Sequence, residues 1–324
     1  VFPANVRVVI ALHRFIALTI LIGAVPALTP YGNHGGVVGA LPLFQVVDDT
    51  GTTITLQRPA RRIVCLELSC IDFMTALGIT PVAIPRGDGG VAFAADPHFL
   101  GKRAETLATV GGGYLEPNLE DVVAAQPDLI VGQTVSTGLR AALKPTAPMV
   151  LFDPVGYQGV LSALSKLGML TNRGKEAAAV SKGFLQGLAA ISRSVPKNQT
   201  ALIMWGDDAD FGISTRTSPS GSILAKISNY PWNVPHGVVQ EGAGDIEYSL
   251  SRVIDENPEI IFTESFRPTF VRDLATNPLW QHIRAVRTGR VYGVDVHIWH
   301  EDAGPVGLGI VLREAAKLIR LNRS

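Results

Sequence analysis

Cysteine is nearly absent from this chain: Cys65 and Cys70 are the only two in 324 residues. Two thiols can build neither a disulfide scaffold nor a four-cysteine zinc site. They lie close in sequence, so a bridge between them requires a tight turn, and the expectation is two buried thiols. An excess of charge is missing as well, because 28 Lys and Arg balance 28 Asp and Glu. That balance argues against a nucleic-acid binder, which needs a basic surplus to neutralise phosphates. Charged residues make up only 17% of the chain, against about 25% in ordinary soluble domains. The common catalytic signatures are absent too. The glycine-rich stretches Gly87–Gly90 and Gly111–Gly113 lack the lysine and hydroxyl residue of a phosphate loop, and no Gly-x-Ser-x-Gly elbow occurs. These absences favour a binding protein over an enzyme.

What is present is a chain that is 47% hydrophobic, with 33 Gly and 21 Pro. The hydrophobic content excludes disorder, the turn residues predict many short elements, and the length suggests about two domains. Residues 1–27 read as an export signal. Arg7, His13 and Arg14 precede an apolar run from Phe15 to Val25, and Val25-Pro26-Ala27 offers a small-residue cleavage site. Residues 28–50 read as a linker.

From residue 51 the pattern is that of a parallel α/β protein. Thr52–Leu56 alternates as an edge strand does. Ile63–Leu66 reads as a buried strand, followed by a helix capped by Ser69 and ended by Gly78, and then by a strand at Pro81–Ile84. Residues 118–131 align without gaps on residues 249–262. Each segment opens on an N-cap residue, Asn118 or Ser249, and runs through two amphipathic turns. Each then stops before Pro127 or Pro258 and continues as an acid and an apolar strand. The repeat predicts two lobes of one architecture. A helical pattern over residues 158–195, with Gly168 and the Thr171–Gly174 segment as the points where it can kink or split, separates them. The expected fold is therefore two Rossmann-like α/β lobes, 51–157 and 196–324, joined by one long helix with a ligand cleft between.

Aromatic and basic residues fall in the predicted strand-to-helix loops: Arg86, Tyr114, Trp205, Arg216, Trp232 and Trp299. Such loops line the crevice at strand carboxyl ends. Aromatics there supply flat apolar contact with a polar handle, and arginine offers a bidentate match to carboxylate-like oxygens. His297-Ile-Trp-His300, followed by Glu301 and Asp302, is the best metal-like cluster, although it sits in a loop.

Several motifs, taken in order, resemble periplasmic substrate-binding proteins for iron–siderophores. They are Pro59–Leu68, Ala76–Val82, Glu116–Glu120 with Gln126–Ile130, Ser220–Leu224, Asn277–Trp280 and Arg287–Tyr292. The closest likeness is to ferric hydroxamate and ferric citrate-type binders, and it covers about residues 50–320. The resemblance implies a single interlobe helix, little hinge motion, no catalysis and no cofactor, and a periplasmic, monomeric protein. It also implies that a ferric siderophore is captured and delivered to an ABC-transporter permease in the inner membrane. In hydroxamate binders an arginine precedes the Glu-Pro-Asn motif and a tyrosine follows the next strand. Here those positions are Tyr114 and Ser136, which leaves Arg86 or Arg216 to make the anionic contact. The family's docking acids correspond to Glu120 and, in the second lobe, to Ser251, with Glu247 or Asp245 as nearby substitutes. Two other readings stand beside this one. The first is a haem or corrinoid binder using His297 or His300 as axial ligand. The second is a metal-dependent periplasmic enzyme centred on His297, His300 and Asp302.

Overall fold

The structure, a computed structural model, describes residues 44–87, 89–113, 115–207, 211–235, 244–300 and 304–321. The predicted export signal, Tyr114, Glu301 and Asp302 lie outside these residues. The chain enters through an antiparallel hairpin, β1 (Phe44–Val47) and β2 (Thr53–Leu56). The strand at Phe44–Val47 falls within the expected linker. It was missed because the adjacent Val46 and Val47 break the apolar–polar alternation that reveals β2. The hairpin is fixed to the first lobe by Asp48, which is buried, accepts from the Leu151 amide and pairs with Arg140.

The first lobe alternates strands and helices: β3 (Ile63–Cys65), α1 (Leu68–Ala76), β4 (Ala83–Pro85), α2 (Gly90–Ala95), β5 (Ala108–Val110), α3 (Leu119–Ala124), β6 (Leu129–Gln133), α4 (Leu139–Leu143) and β7 (Met149–Phe152). The five strands are all parallel, in the order β5-β4-β3-β6-β7. Strands such as Ile63-Val64-Cys65 and Met149–Phe152 are buried throughout, as expected of a sheet covered on both faces.

Two helices follow, α5 (Gly156–Leu170) and α6 (Gly174–Ser194), where the sequence predicted one. The break falls at the flagged segment. Asn172 adopts a left-handed conformation with φ 57°, which ends one helix and reverses the chain. The two helices pack side by side, with Ala177 set against Gly168, where even a Cβ would lie at 2.8 Å. α5 begins beside the second lobe, where the Gly156 amide donates to the Thr217 carbonyl, and ends under the first, where Leu170 O accepts from Ala60 N. α6 then runs back across. Its last turn meets the second lobe where Ser192 Oγ donates to Lys226 O and Arg320 reaches Ser194 Oγ.

The second lobe comprises β8 (Ala201–Gly206), β9 (Phe211–Ser214), α7 (Pro219–Ile227), β10 (Asp245–Tyr248), α8 (Leu250–Glu256), β11 (Ile260–Glu264), α9 (Phe270–Leu274), α10 (Arg284–Arg287), β12 (Val291–Val294), α11 (Val296–Trp299) and α12 (Pro305–Arg320). Its order is β10-β9-β8-β11-β12, with β8, β11 and β12 parallel and β9 antiparallel to both of its neighbours. The internal repeat is structural. Asn118 caps α3 and Ser249 caps α8 through their side chains. Gln126 and Asn257 both turn the chain in the left-handed region before their prolines, at φ 48° and 47°. The following acids do equivalent work at the next strand. Asp128 accepts from the Arg61 and Arg62 amides just before β3, and Glu259 from the Thr200 amide just before β8.

The cysteines are not free thiols. Cys65, the last residue of β3, is bridged to Cys70 in the first turn of α1, with Cα atoms 5.4 Å apart. The strand-to-helix turn supplies the tight reversal that the short spacing requires. Helix α1 consequently starts at Leu68 with Glu67 at its N-cap, and Ser69 lies inside it.

Candidate functional site

In each lobe the strand order reverses beside the first strand, between β3 and β6 and between β8 and β11. Ligand crevices form at such switch points, outside the strand carboxyl ends. In the first lobe the residues there are Glu67, after β3, Gln133, the last residue of β6, and Thr134, which follows it. In the second they are Trp205, Glu264 and Ser265. The two loops are tied where Asp207 Oδ1 accepts from Ser265 Oγ at 2.7 Å and from the Arg267 amide at 3.2 Å.

The two edges face each other. Gly89, in the loop after β4, has φ 74°, and a Cβ built on it would lie 2.8 Å from the His297 ring of α11. Glycine is thus required there twice, for its conformation and for the close approach of the second lobe. On the other side, His297 meets Phe266 edge-on at 5.2 Å, and Phe266 is 63% exposed. The crevice therefore carries an apolar ring and an imidazole on one wall.

Arg86 stands on the opposite wall. It directly follows β4 and is exposed, and its Nε donates to Thr109 Oγ1 of the neighbouring β5 at 3.0 Å. That bond orients the guanidinium, and Gly111 beside it leaves room for Nη1. An arginine held at one nitrogen with its outer edge in solvent is pre-organised for a planar anion.

Behind the second wall lies a buried polar cluster. Glu264 and Asp245 are almost wholly buried, and His300 places Nδ1 2.8 Å from Glu264 Oε2 and Nε2 3.9 Å from Asp245 Oδ2. Trp205 tilts against His300 with ring centres 5.9 Å apart, and its indole lies across Gly212, where no side chain would fit. Tyr230 donates to Ser214 O, and its phenol is held well above its usual pKa by burial first and then by the Glu264 carboxylate.

The predicted site residues divide accordingly. Arg86, Trp205 and His297 are at the crevice edges. Arg216 is exposed beside the seam between α5 and the second lobe, its amide donating to Trp232 O. Trp299, Trp232 and Ser136 are buried. Trp299 is 1% exposed, lies 4.9 Å from Phe262 and donates its indole N–H to Glu314 at 2.9 Å. Trp232 donates to Ala201 O and meets Tyr248 edge-on. Ser136 is enclosed in the turn after β6. For the two tryptophans the packing role is the one the geometry supports, because a ring committed on all sides has no face left for a ligand, and the Ser136 side chain is buried in its own turn. His297 and His300 point to different partners and do not converge. Among the described residues no set of three His, Cys, Asp or Glu side chains is arranged to hold a metal ion.

Of the docking candidates, Glu120 is exposed in the first turn of α3, Glu247 is exposed on β10 and Ser251 is exposed in α8. Asp245 is buried, which removes it as a surface contact. Glu67, Phe266 and Glu264 escaped the sequence reading. Glu67 directly follows a buried apolar run and Glu264 follows one with only Thr263 between, a signal that an acid stands at a strand's carboxyl end.

The family model described as "Periplasmic binding protein" matches residues 63–296. The Fe(3+) dicitrate-binding periplasmic protein FecB of Escherichia coli is 25% identical over 78% of this chain and 83% of its own. The Fe(3+)-citrate-binding protein YfmC of Bacillus subtilis is 28% identical over 82% and 83%. Among solved structures, the triscatecholate siderophore binding protein FeuA of Bacillus subtilis superposes with TM-score 0.71 at 18% identity, covering 86% of this chain and 99% of its own. With the two-lobed fold and its facing switch points, these matches establish that the chain belongs to the periplasmic binding protein family.

Proposed function

We propose that the protein captures a ferric siderophore of the citrate type in the periplasm and hands it to the permease of an ABC importer. The observation that carries the reading is the crevice itself. An oriented, solvent-facing Arg86 stands on one wall and His297 with Phe266 on the other, at the switch points of two lobes in a chain resembling ferric citrate binders along most of its length. Ferric complexes of polycarboxylates are anionic and present carboxylate oxygens at their surface, which suits a guanidinium. Their organic backbone suits an apolar ring.

Every polar group named in the crevice binds and orients, and no proton transfer or bond cleavage is required of it. Glu120 and Glu247 are the acids through which the two lobes would meet the permease, and both are solvent-exposed as that role requires. The protein works as a monomer in this scheme, because one chain supplies both walls.

The test is a titration of intrinsic fluorescence, in which Trp205 is the half-buried reporter nearest the crevice, with ferric dicitrate, ferric hydroxamates, ferric catecholates, haem and cobalamin. Ferric dicitrate is expected to bind. Arg86→Ala is expected to weaken it about tenfold or more, since a charged hydrogen bond contributes ~1.5–3 kcal/mol. A response to haem or cobalamin alone would replace the siderophore reading, and no response to any member of the panel would refute capture at this crevice.

A further inference from the structure

α12 is the last helix of the second lobe, sixteen residues long, and its first turn has no side-chain cap of its own. Helix N-termini leave several amide N–H groups without intrahelical partners. Here the partner comes from the other lobe. Asp72, in the middle of α1, accepts from the Val306 amide at 2.8 Å and the Gly307 amide at 2.7 Å. The Gly304 amide is its third partner, and the Asp72 side chain is fully buried. Gly304 has an ordinary extended backbone, so its conformation does not demand glycine. Space does, because a Cβ there would lie 2.5 Å from Asp72 Cγ. The carboxylate and the missing methylene form one fitted joint.

Both sides of the joint lead to the crevice. Asp72 lies two residues beyond Cys70, whose bridge to Cys65 ties the start of α1 to the end of β3, beside Glu67. On the second lobe, α12 follows α11 and its His297, which stands against Gly89. α11 is also held from below by Ser220 Oγ, which donates to the Trp299 carbonyl.

We propose that Asp72 is a positioning residue for the crevice: by capping α12 from across the lobe boundary, it clasps the two lobes so that α11 stays opposite the loop after β4. The clasp is separate from α6, the covalent link between the lobes. α6 fixes how far apart the lobe bases are, whereas Asp72 fixes the separation of the walls at the crevice floor. The inference concerns the protein's own geometry and needs no assumption about the cargo, so it survives or fails independently of the siderophore reading.

A distance measurement tests it. Val123 in α3 and Leu279 in the second lobe are both exposed. Replaced by cysteine and spin-labelled, they report the interlobe distance, and the native cysteines, being bridged, do not compete for label. The unmutated background is expected to give a single narrow distance. Asp72→Ala, with unchanged far-UV circular dichroism, is expected to add a second, longer population at least about fivefold above any present in the parent, as loss of a cap of ~1 kcal/mol would produce. Asp72→Asn keeps one carbonyl acceptor and should fall between the two, a graded response that loss of packing alone would not give. A folded Asp72→Ala protein with the parent's single distance overturns the proposal. If Asp72→Ala is not recovered folded, Asp72→Asn decides in the same way: broadening supports the clasp and the parent distribution overturns it.

Discussion

Removing the Cys65–Cys70 bridge should destabilise the protein without changing what it buries. The two cysteines are five residues apart, and both are completely inaccessible to solvent in the folded chain. A loop this short restricts the unfolded chain only modestly, and the chain-entropy relation puts the stabilisation at ~2 kcal/mol. For a protein of this size, with an unfolding entropy of ~2.1 cal/mol/K per residue, that corresponds to a fall in Tm of roughly 3 °C. Because the sulfurs are buried, reductant reaches them only through unfolding. The native protein should resist it, and the whole effect should appear as a lower midpoint of unfolding in urea with reductant present. The slope of the transition should change little, since the surface exposed on unfolding is nearly the same. Replacing both residues by alanine should cost about 1 kcal/mol more, because two buried sulfurs are lost from the core. A thiol count gives the independent check, with no free thiol in denaturant alone and two after denaturation with reductant. Coincident unfolding curves with and without reductant, or two thiols titrating in denaturant alone, would refute both the bridge and its energetic role.

Burial pushes the Asp72 carboxyl up from 3.8 to about 7, although the Gly307, Val306 and Gly304 amides pull the other way. These amides are the only groups found facing it among the described residues. Since the folded state holds the proton more tightly than the unfolded chain, this group's contribution to stability is greatest below about pH 4. It declines as pH rises to about 7, by roughly 4 kcal/mol in all. Urea titrations between pH 5 and 8 should show that decline in the parent and a flatter profile in Asp72→Asn, and equal slopes would contradict it. Trp299→Ala should cost ~3–5 kcal/mol, as the loss of a fully buried aromatic does, read by chemical denaturation. Trp232→Phe should lose about 1 kcal/mol for its bond to Ala201 O and leave ligand affinity unchanged by the same titration. Gly89→Ala introduces both backbone strain and a collision with His297, so it should weaken ligand binding while lowering Tm by a few degrees, and an unaltered affinity would remove the Gly89–His297 contact from the site.

The sequence by itself determined the architecture. Apolar strands bounded by proline and glycine, and the recurrence of one cap–helix–proline–acid–strand unit, were enough to predict two α/β lobes. That is because burial periodicity and capping are local properties, and Pro127 and Pro258 end both helices at or before the preceding residue. It also marked Gly168 and Thr171–Gly174 as points where the long helix could kink or split, and the fold selected the second. Short β1 and antiparallel β9 were decided by tertiary pairing, since four residues carry too little pattern to reveal a partner or its direction. Side-chain destination was the other thing the fold alone settled. Arg86 and Trp299 look equally suited to a crevice in sequence, yet Thr109 orients one toward solvent while Phe262 and Glu314 enclose the other. The Asp72 joint is the extreme case. Its partners at Val306 and Gly307 lie more than two hundred residues away, and an acid inside an apolar helix face finds its amides only when two lobes close on each other.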